Sequence, residues 1–302
     1  MNARYLTADV FTERKFGGNQ LAVFPDARQI KVDLMQRIAQ EFNYSETTFV
    51  LPPDDPSHTA KVRIFTPGGE LQFAGHPTVG TAHVLASVGI VKLTGDETRI
   101  VLEEGVGPIP VTIRSKGGRP DFAQLTAAKL PETGPPPPSN DMLAAMLSLK
   151  SGDLLGGDMK AEALSCGTPF LFVPVRDRAT VARARIKVDL WESALAGYIT
   201  KEVFIFAMDA EHPDHDIRAR LFAPGLGVAE DPATGSACVA LAGYLAARDA
   251  RTQGTLRWIV EQGFEMGRPS ILEIEADKRN GAATAVRVGG RTVLVCDGTM
   301  EL

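Results

Sequence analysis

Cysteine is scarce in this chain: 302 residues hold only Cys166, Cys238 and Cys296, odd in number and widely separated. That excludes a disulfide framework and a CxxC metal site, and it fits reduced thiols. Long apolar runs are missing too. Nothing approaches the ~20 residues that span a bilayer, so a membrane partner is not expected. A basic surplus is also lacking, with 32 Lys and Arg against 37 Asp and Glu for a net charge of −5. Nucleic acid, which demands a basic face, is therefore excluded as the main partner. The glycine-rich stretches "FGGNQ" and "PGLGVAED" do not complete G-x-G-x-x-G, and G-x-x-x-x-G-K-[ST] does not occur, so no nucleotide cofactor is implied. The opening "MNARYLTADVF" shows no basic stretch followed by an apolar core, and the expected location is the cytoplasm. What remains, 44% hydrophobic and 23% charged, is the composition of a globular protein. Its expected partner is a small molecule.

The length suits two domains, and an internal repeat strengthens that reading. "GHPTVGTA" (75–82) returns as "DPATGSA" (231–237), "KVDLMQRIAQEFNY" (31–44) as "KVDLWESALAGY" (187–198), and "HTAKVRIFTPGGE" (58–70) as "HDIRARLFAPGLG" (215–227). A looser echo links "GNQLAVFP" (18–25) with "GTPFLFVP" (167–174). The chain therefore reads as two homologous domains, 1–131 and 141–283, joined by the extended proline-rich linker "ETGPPPPSND" (132–141). The tail reads as a hairpin over 284–302, turning at Gly289-Gly290, that can pack on the N-terminal domain. In each half, strands flank a segment that is small or apolar on almost every face, the pattern of a helix buried all round. The fold class is α+β, each domain wrapping a barrel-like sheet around one central helix, with Pro77 and Pro232 in the first helical turns.

A helix start carries free N–H groups and roughly half a positive charge, so two such starts facing one cleft would suit a small carboxylate. The repeat aligns His76 with Asp231 at these places, one from each side. The plain readings are a loop histidine and an N-cap aspartate. Ser236, with Thr81 as its match, is positioned to donate to a carboxylate, and its plain reading is close packing. Gly75, Thr78, Thr234 and Gly235 supply the surrounding helix-start amides. Glu46 in "NYSETTFV" is the third candidate. Aligning Tyr44 with Tyr198 puts Thr200 opposite it, and a single acid in a duplicated scaffold suits one-base proton transfer. His212 and His215 in "HPDHD" read as an inter-strand turn and not as a metal site. No metal is expected.

"DVFTERKFGGNQLAVF", "NYSETTFV", "RIFTPGGELQFAGHPTVGTAHVL", "EDPATGSA" and "EQGFEMGRPS" together resemble the phenazine-biosynthesis isomerase-like (PhzF-like) family, in the family's order over nearly the whole chain. The resemblance implies the diaminopimelate-epimerase fold, a homodimer and a cofactor-free isomerase. It also implies Glu46 as acid/base, with His76, Asp231 and Ser236 at the family's histidine, aspartate and serine. Related epimerases place two facing cysteines at the helix starts. Here those places hold Gly75-His76 and the Asp231 region, and Cys238 lies too far into its helix. One departure is Gly18-Asn19-Gln20, where the family usually has Gly-Asn-Pro; position 20 is expected to shape a loop. The expected function is proton transfer on a small cyclic carboxylate, an amino or hydroxy acid. Two rivals remain: a two-base epimerase using His76 and Asp231, and a non-catalytic binding or scaffold protein.

Overall fold

Apolar and β-branched runs bounded by glycine, proline and polar turns dictate short strands, and this chain delivers them in the same order twice. The computed structural model describes residues 2–302. A first unit comprises the chain up to Ala128 together with Arg287–Leu302, and a second comprises Lys129–Val286. The first runs β1 (Asn2–Val10), β2 (Asn19–Phe24), α1 (Val32–Phe42), β3 (Glu46–Leu51), β4 (Ala60–Thr66), β5 (Gly69–Leu71), α2 (Gly75–Ser87), β6 (Glu97–Glu104), β7 (Gly107–Lys116) and β8 (Arg119–Thr126). The second runs β9 (Glu132–Thr133), α3 (Asn140–Met146), β10 (Glu162–Ser165), β11 (Pro169–Pro174), α4 (Arg178–Arg183), α5 (Val188–Ala194), β12 (Val203–Ala207), β13 (Ile217–Ala223), β14 (Val228–Asp231), α6 (Gly235–Ala246), β15 (Gly254–Gln262) and β16 (Ser270–Arg279). The chain re-enters the first unit within β17 (Ala282–Gly290), and β18 (Thr292–Glu301) completes it.

Strand pairing repeats from one unit to the other. β1–β2 is antiparallel, β2–β3 parallel, β3–β4 and β4–β5 antiparallel, β4–β6 parallel and β6–β7 antiparallel. The series β10–β11, β11–β12, β12–β13, β13–β14, β13–β15, β15–β16 has the same senses in the same order. The first parallel step in each unit is a crossover carried by α1 or by α4 and α5, and the second is carried by α2 or α6. Met35, Ile38 and Ala39 recur at helical spacing on α1 and bury against Phe24, Phe49 and Phe65. The Phe24 and Phe49 rings stack with centroids 5.0 Å apart, and full burial of such a side chain contributes about 1.5–3 kcal/mol. Asn43, in the left-handed conformation that asparagine tolerates, ends the helix.

Each unit wraps its sheet around one helix. Every residue of α2 from Gly75 to Ala86 is buried, touched by β1, β2, β3, β7, β8 and β18. α6 is likewise buried from Ala237 to Ala246, against β10, β11, β15 and β16. Small residues permit this enclosure. A Cβ on Gly80 would stand 2.6 Å from methyls of Leu21 and Val10, and one on Gly243 would stand 2.1 Å from the Pro131 ring. A buried hydroxyl must be paired, and Thr81 meets Thr48 at 2.8 Å.

Two local readings need correction. Gly289 and Gly290 are not a turn but the end of β17, which pairs with β8 while β18 pairs with β1. A Cβ at Gly289 would come within 2.6 Å of the Phe122 ring, so close packing explains that glycine. The proline-rich segment 132–141 lies along the second unit: Glu132–Thr133 pairs with β10, and the Tyr198 hydroxyl donates to the Pro135 carbonyl at 2.7 Å. Among the described residues no helix is long and apolar enough to cross a membrane.

Candidate active site

In the first unit Ala74 is the extended residue before α2, and the helix opens with Gly75-His76. Pro77 follows in the first turn, where its missing N–H leaves no bond unmade. His76 is buried, with Nε2 3.2 Å from Glu46 Oε2 and Nδ1 3.2 Å from the Asn19 amide nitrogen. Glu46 opens β3 opposite Leu21 of β2, which brings Asn19, Gln20 and Glu46 to one end of that parallel pair. Gly18 makes the approach possible. It sits at φ +61°, and a Cβ there would collide with the Val10 carbonyl oxygen at 2.3 Å.

Burial pushes the His76 imidazole down to about 3, against an opposing hydrogen bond to the Gln20 backbone. The ring is therefore neutral at physiological pH. It lies between Glu46 on its Nε2 side and the Asn19 side-chain amide and Gln20 backbone of β2, and it does not present a fixed positive charge to Glu46. Position 20 does not shape a loop as expected: it is the second residue of β2, pairs with Asp9, and reaches His76 through its backbone.

In the second unit Asp231 is the last residue of β14, and Thr234 immediately precedes α6, which opens with Gly235-Ser236. The Thr234 hydroxyl donates to Asp231 Oδ2 at 2.6 Å, and the Gln262 amide donates to the Asp231 carbonyl at 2.8 Å. Gln262 Oε1 in turn accepts from the Thr234 N–H at 3.0 Å. Ser236 remains partly exposed. Burial holds the Cys238 thiol far above its ordinary range, which removes it as a thiolate base.

The structural register differs from the register read in the sequence. β5 ends at Leu71 and β14 at Asp231; α2 opens at Gly75 and α6 at Gly235. His76 therefore corresponds to Ser236, and Asp231 corresponds to Leu71. Pro232 lies outside α6, not in its first turn. The cause is a longer second-unit turn: Thr66 pairs with Gly69, whereas Ala223 pairs with Val228. Strand pairing also replaces Thr200 by Glu202 as the counterpart of Glu46. Thr47 pairs with Phe65 and Phe49 with Arg63, as Val203 pairs with Phe222 and Ile205 with Arg220. The residue before Val203 is Glu202, so both copies carry an acid there. Glu202 is occupied locally: it lies 2.6 Å from the Thr200 hydroxyl, which also lies 2.8 Å from the Pro169 carbonyl, and it accepts from the Lys201 N–H at 3.1 Å.

Sequence reasoning read Asn19-Gln20 only as part of a loop and missed Glu104 and Gln262. The repeat "VLEEG" (101–105) and "IVEQG" (259–263) was the signal that could have found the last two. Glu103 and Glu261, the first acids of these motifs, form matching frames. Glu103 accepts from the N–H groups of Asp54 and Asp55 and meets His58 Nδ1 at 2.8 Å; Glu261 accepts from Glu211 and His212 and meets His215 Nδ1 at 2.8 Å. These bonds occupy His215, and among the described residues no cluster of three His, Cys, Asp or Glu side chains is placed to hold a metal ion.

The chain is similar to known proteins along almost its whole length. A family model described as phenazine biosynthesis-like protein matches residues 8–298. An uncharacterized isomerase of Mesorhizobium japonicum is 38% identical over 302 residues, covering 98% of each chain. The trans-2,3-dihydro-3-hydroxyanthranilate isomerase of Pseudomonas aeruginosa is 33% identical over 299 residues, covering 99% of each. Among solved structures, a PhzF-family phenazine biosynthesis protein of Bacillus anthracis superposes with a TM-score of 0.88 over 100% of both chains at 24% identity, which speaks for the fold. That fold is the diaminopimelate-epimerase-like one expected.

Proposed function

Because this chain belongs to the phenazine biosynthesis-like protein family and its relatives are isomerases, we propose that it isomerises a small cyclic carboxylate by acid/base proton transfer through Glu46. The observation that carries the reading is the 3.2 Å approach of Glu46 to the buried, neutral His76 at the start of α2. Glu46 as carboxylate removes a proton from a carbon made acidic by conjugation, and the C–H electron pair moves into the π system. The protonated Glu46 then returns the same proton to a carbon further along, so atoms and charge balance without a further reactant. His76 orients Glu46 and a polar substituent. Asp231 orients the substrate, while Ser236 and the helix-start amides at Gly75 and Gly235 hold its carboxylate; Thr78 and Thr234, whose N–H groups turn to Ala74 and Gln262, frame the two helix starts. The reading includes a homodimer in the cytoplasm acting on a free small molecule, without a cofactor.

Incubation with trans-2,3-dihydro-3-hydroxyanthranilate and a panel of small cyclic amino and hydroxy acids in deuterated water, followed by NMR, tests the proposal. The expected result is a shifted double bond with partial retention of the original hydrogen. Solvent deuterium at a single inverted stereocentre would support the two-base epimerase instead. An absence of turnover and exchange across the panel, with binding retained, would support a binding protein.

A further inference from the structure

We propose that Glu104 is carried as a neutral carboxylic acid whose proton locks the His76-bearing start of α2, so that loss of this proton limits the enzyme on its alkaline side. The proposal rests on the isomerase reading only for its kinetic consequence. Glu104 is a positioning residue. It acts through Ala74 and Thr78, on either side of His76.

Hydrogen counting carries the argument. Thr78 Oγ1 lies 2.6 Å from the Ala74 carbonyl oxygen and 2.5 Å from Glu104 Oε1. A hydroxyl has one hydrogen, and a carbonyl can only accept. With Thr78 donating to Ala74, the hydrogen between Thr78 and Glu104 must come from Glu104. The chain of donors then runs from the Glu104 acid to the Thr78 hydroxyl to the Ala74 carbonyl, and the Ala74 N–H donates back to the Glu104 carboxyl group. An ionised Glu104 would have to take the Thr78 hydrogen and leave the Ala74 carbonyl with only a long 3.4 Å bond from the Thr78 N–H.

The second unit makes the same point independently. Gln262 ends β15 as Glu104 ends β6, and each is followed by a glycine packed on the residue after the preceding strand: Gly105 against Gln72, Gly263 against Pro232. Gln262 accepts from the N–H of Thr234, the counterpart of Ala74, and donates to the Thr234 hydroxyl at 2.9 Å. A carboxamide has the shape and the donor-acceptor pattern of a protonated carboxyl group, and it cannot ionise.

The surroundings of Glu104 supply no counter-charge. It borders a pocket of about 630 Å³ whose charged side chains are engaged with one another: Lys61 with Asp54 at 2.6 Å, Arg63 with Glu70 at 2.6 Å and His58 with Glu103 at 2.8 Å. Asp55 in the same wall accepts from Ser57. On α2 the titratable groups are His76 and His83, both held neutral by burial. Gly107 and Pro108 of β7 carry no charge. Glu104 Oε2 is buried without a hydrogen-bond partner. Burial accordingly pushes this carboxyl group up to about 8, outweighing its bonds to Thr78 and Ala74.

The test compares the parent protein with Glu104→Gln. A folded-state carboxyl raised above its unfolded range favours folding below the unfolded pKa, and that contribution is lost as pH rises through about 8. The two proteins should therefore unfold at the same temperature near pH 4, with Glu104→Gln the more stable above roughly pH 8. Infrared spectra of the parent at neutral pH should contain a protonated-carboxyl C=O band that disappears in Glu104→Gln and on titration to alkaline pH. An alkaline fall in kcat should be present in the parent and absent in the variant. A stability difference that is the same at acid and alkaline pH, or the absence of the infrared band, overturns the proposal. If Glu104→Gln does not fold, the infrared titration of the parent decides alone. If no substrate is turned over, the isomerase reading fails, and the stability and infrared arms still judge the proton.

Discussion

The first unit opens its central helix with Gly75-His76 beneath a carboxyl group, and the second opens its own with Gly235-Ser236 beneath a carboxamide. Around these starts the two copies keep the same frame. Arg63 pairs with Glu70 and lies over the Phe65 ring, as Arg220 pairs with Glu230 and lies over Phe222. Glu103 gathers a turn and His58, as Glu261 gathers a turn and His215. The lesson is that charged residues in duplicated positions hold loops, whereas chemistry is to be sought where the copies diverge. By that criterion His76 and Glu104 stand out in the first unit, and Asp231 and Ser236 in the second. Glu46 is separated from Glu202 by its partner and not by its residue type.

The contrast between those two acids gives the largest expected effect. Glu46→Gln should lower turnover by about 10²–10⁴-fold with folding unchanged, while Glu202→Gln should leave it within roughly twofold. Steady-state kinetics on the substrate found by the NMR screen measure both, and equal losses would break the comparison. Next come the helix starts. His76→Asn should cost about 10²-fold in kcat through misplacement of Glu46. Ser236→Ala should instead raise KM about tenfold, the loss of one hydrogen bond to a carboxylate. Asp231→Asn should weaken both parameters.

The next contrast lies deeper in the helices, where His83 of α2 stands at the position held by Gly243 in α6. Burial pushes His83 down to about 4 and His76 to about 3. A depressed histidine stabilises the fold above its unfolded pKa of about 6.5 and loses that contribution as pH falls toward the folded value. Thermal unfolding should therefore show a loss of stability below about pH 6.5 that is smaller in His83→Gln. An unchanged acid limb in that variant would count against a buried, neutral His83. The smallest effect is steric. Gly243→Ala should destabilise by about 1–3 kcal/mol in denaturant titrations, because its Cβ meets the rigid Pro131 ring. Gly80→Ala should cost less, since it meets side-chain methyls of Leu21 and Val10 that can shift.

Much of the architecture was legible in order and composition. The runs around Ala22–Phe24 and Phe170–Val173 announced strands, "PTVGTAHVLASVG" announced a helix buried on every side, and repeated segments announced two similar units. Glu46 and His76 stand out in the sequence alone, and the fold brings them within 3.2 Å of each other. The alignment of His76 with Asp231 was the principal misreading. Small residues recur so densely in both helix segments that Pro, Gly and Ala match in more than one register. Glu46 was set against Thr200 for a related reason, because a shared tyrosine outweighed strand pairing that no local pattern reveals.

By itself the sequence determined the duplication, the enclosed helices and the family, because these depend on periodicity and on residue types in a fixed order. Tertiary structure alone decided which residue answers which. Backbone ladders admit one register, and the three extra residues accommodated around Pro224–Gly227 shift everything after them. It also decided protonation. The states of His76 and Glu104 follow from burial beside Asn19, Glu46 and Thr78, groups remote in the chain, and desolvation is a sum over spatial neighbours that no stretch of sequence contains.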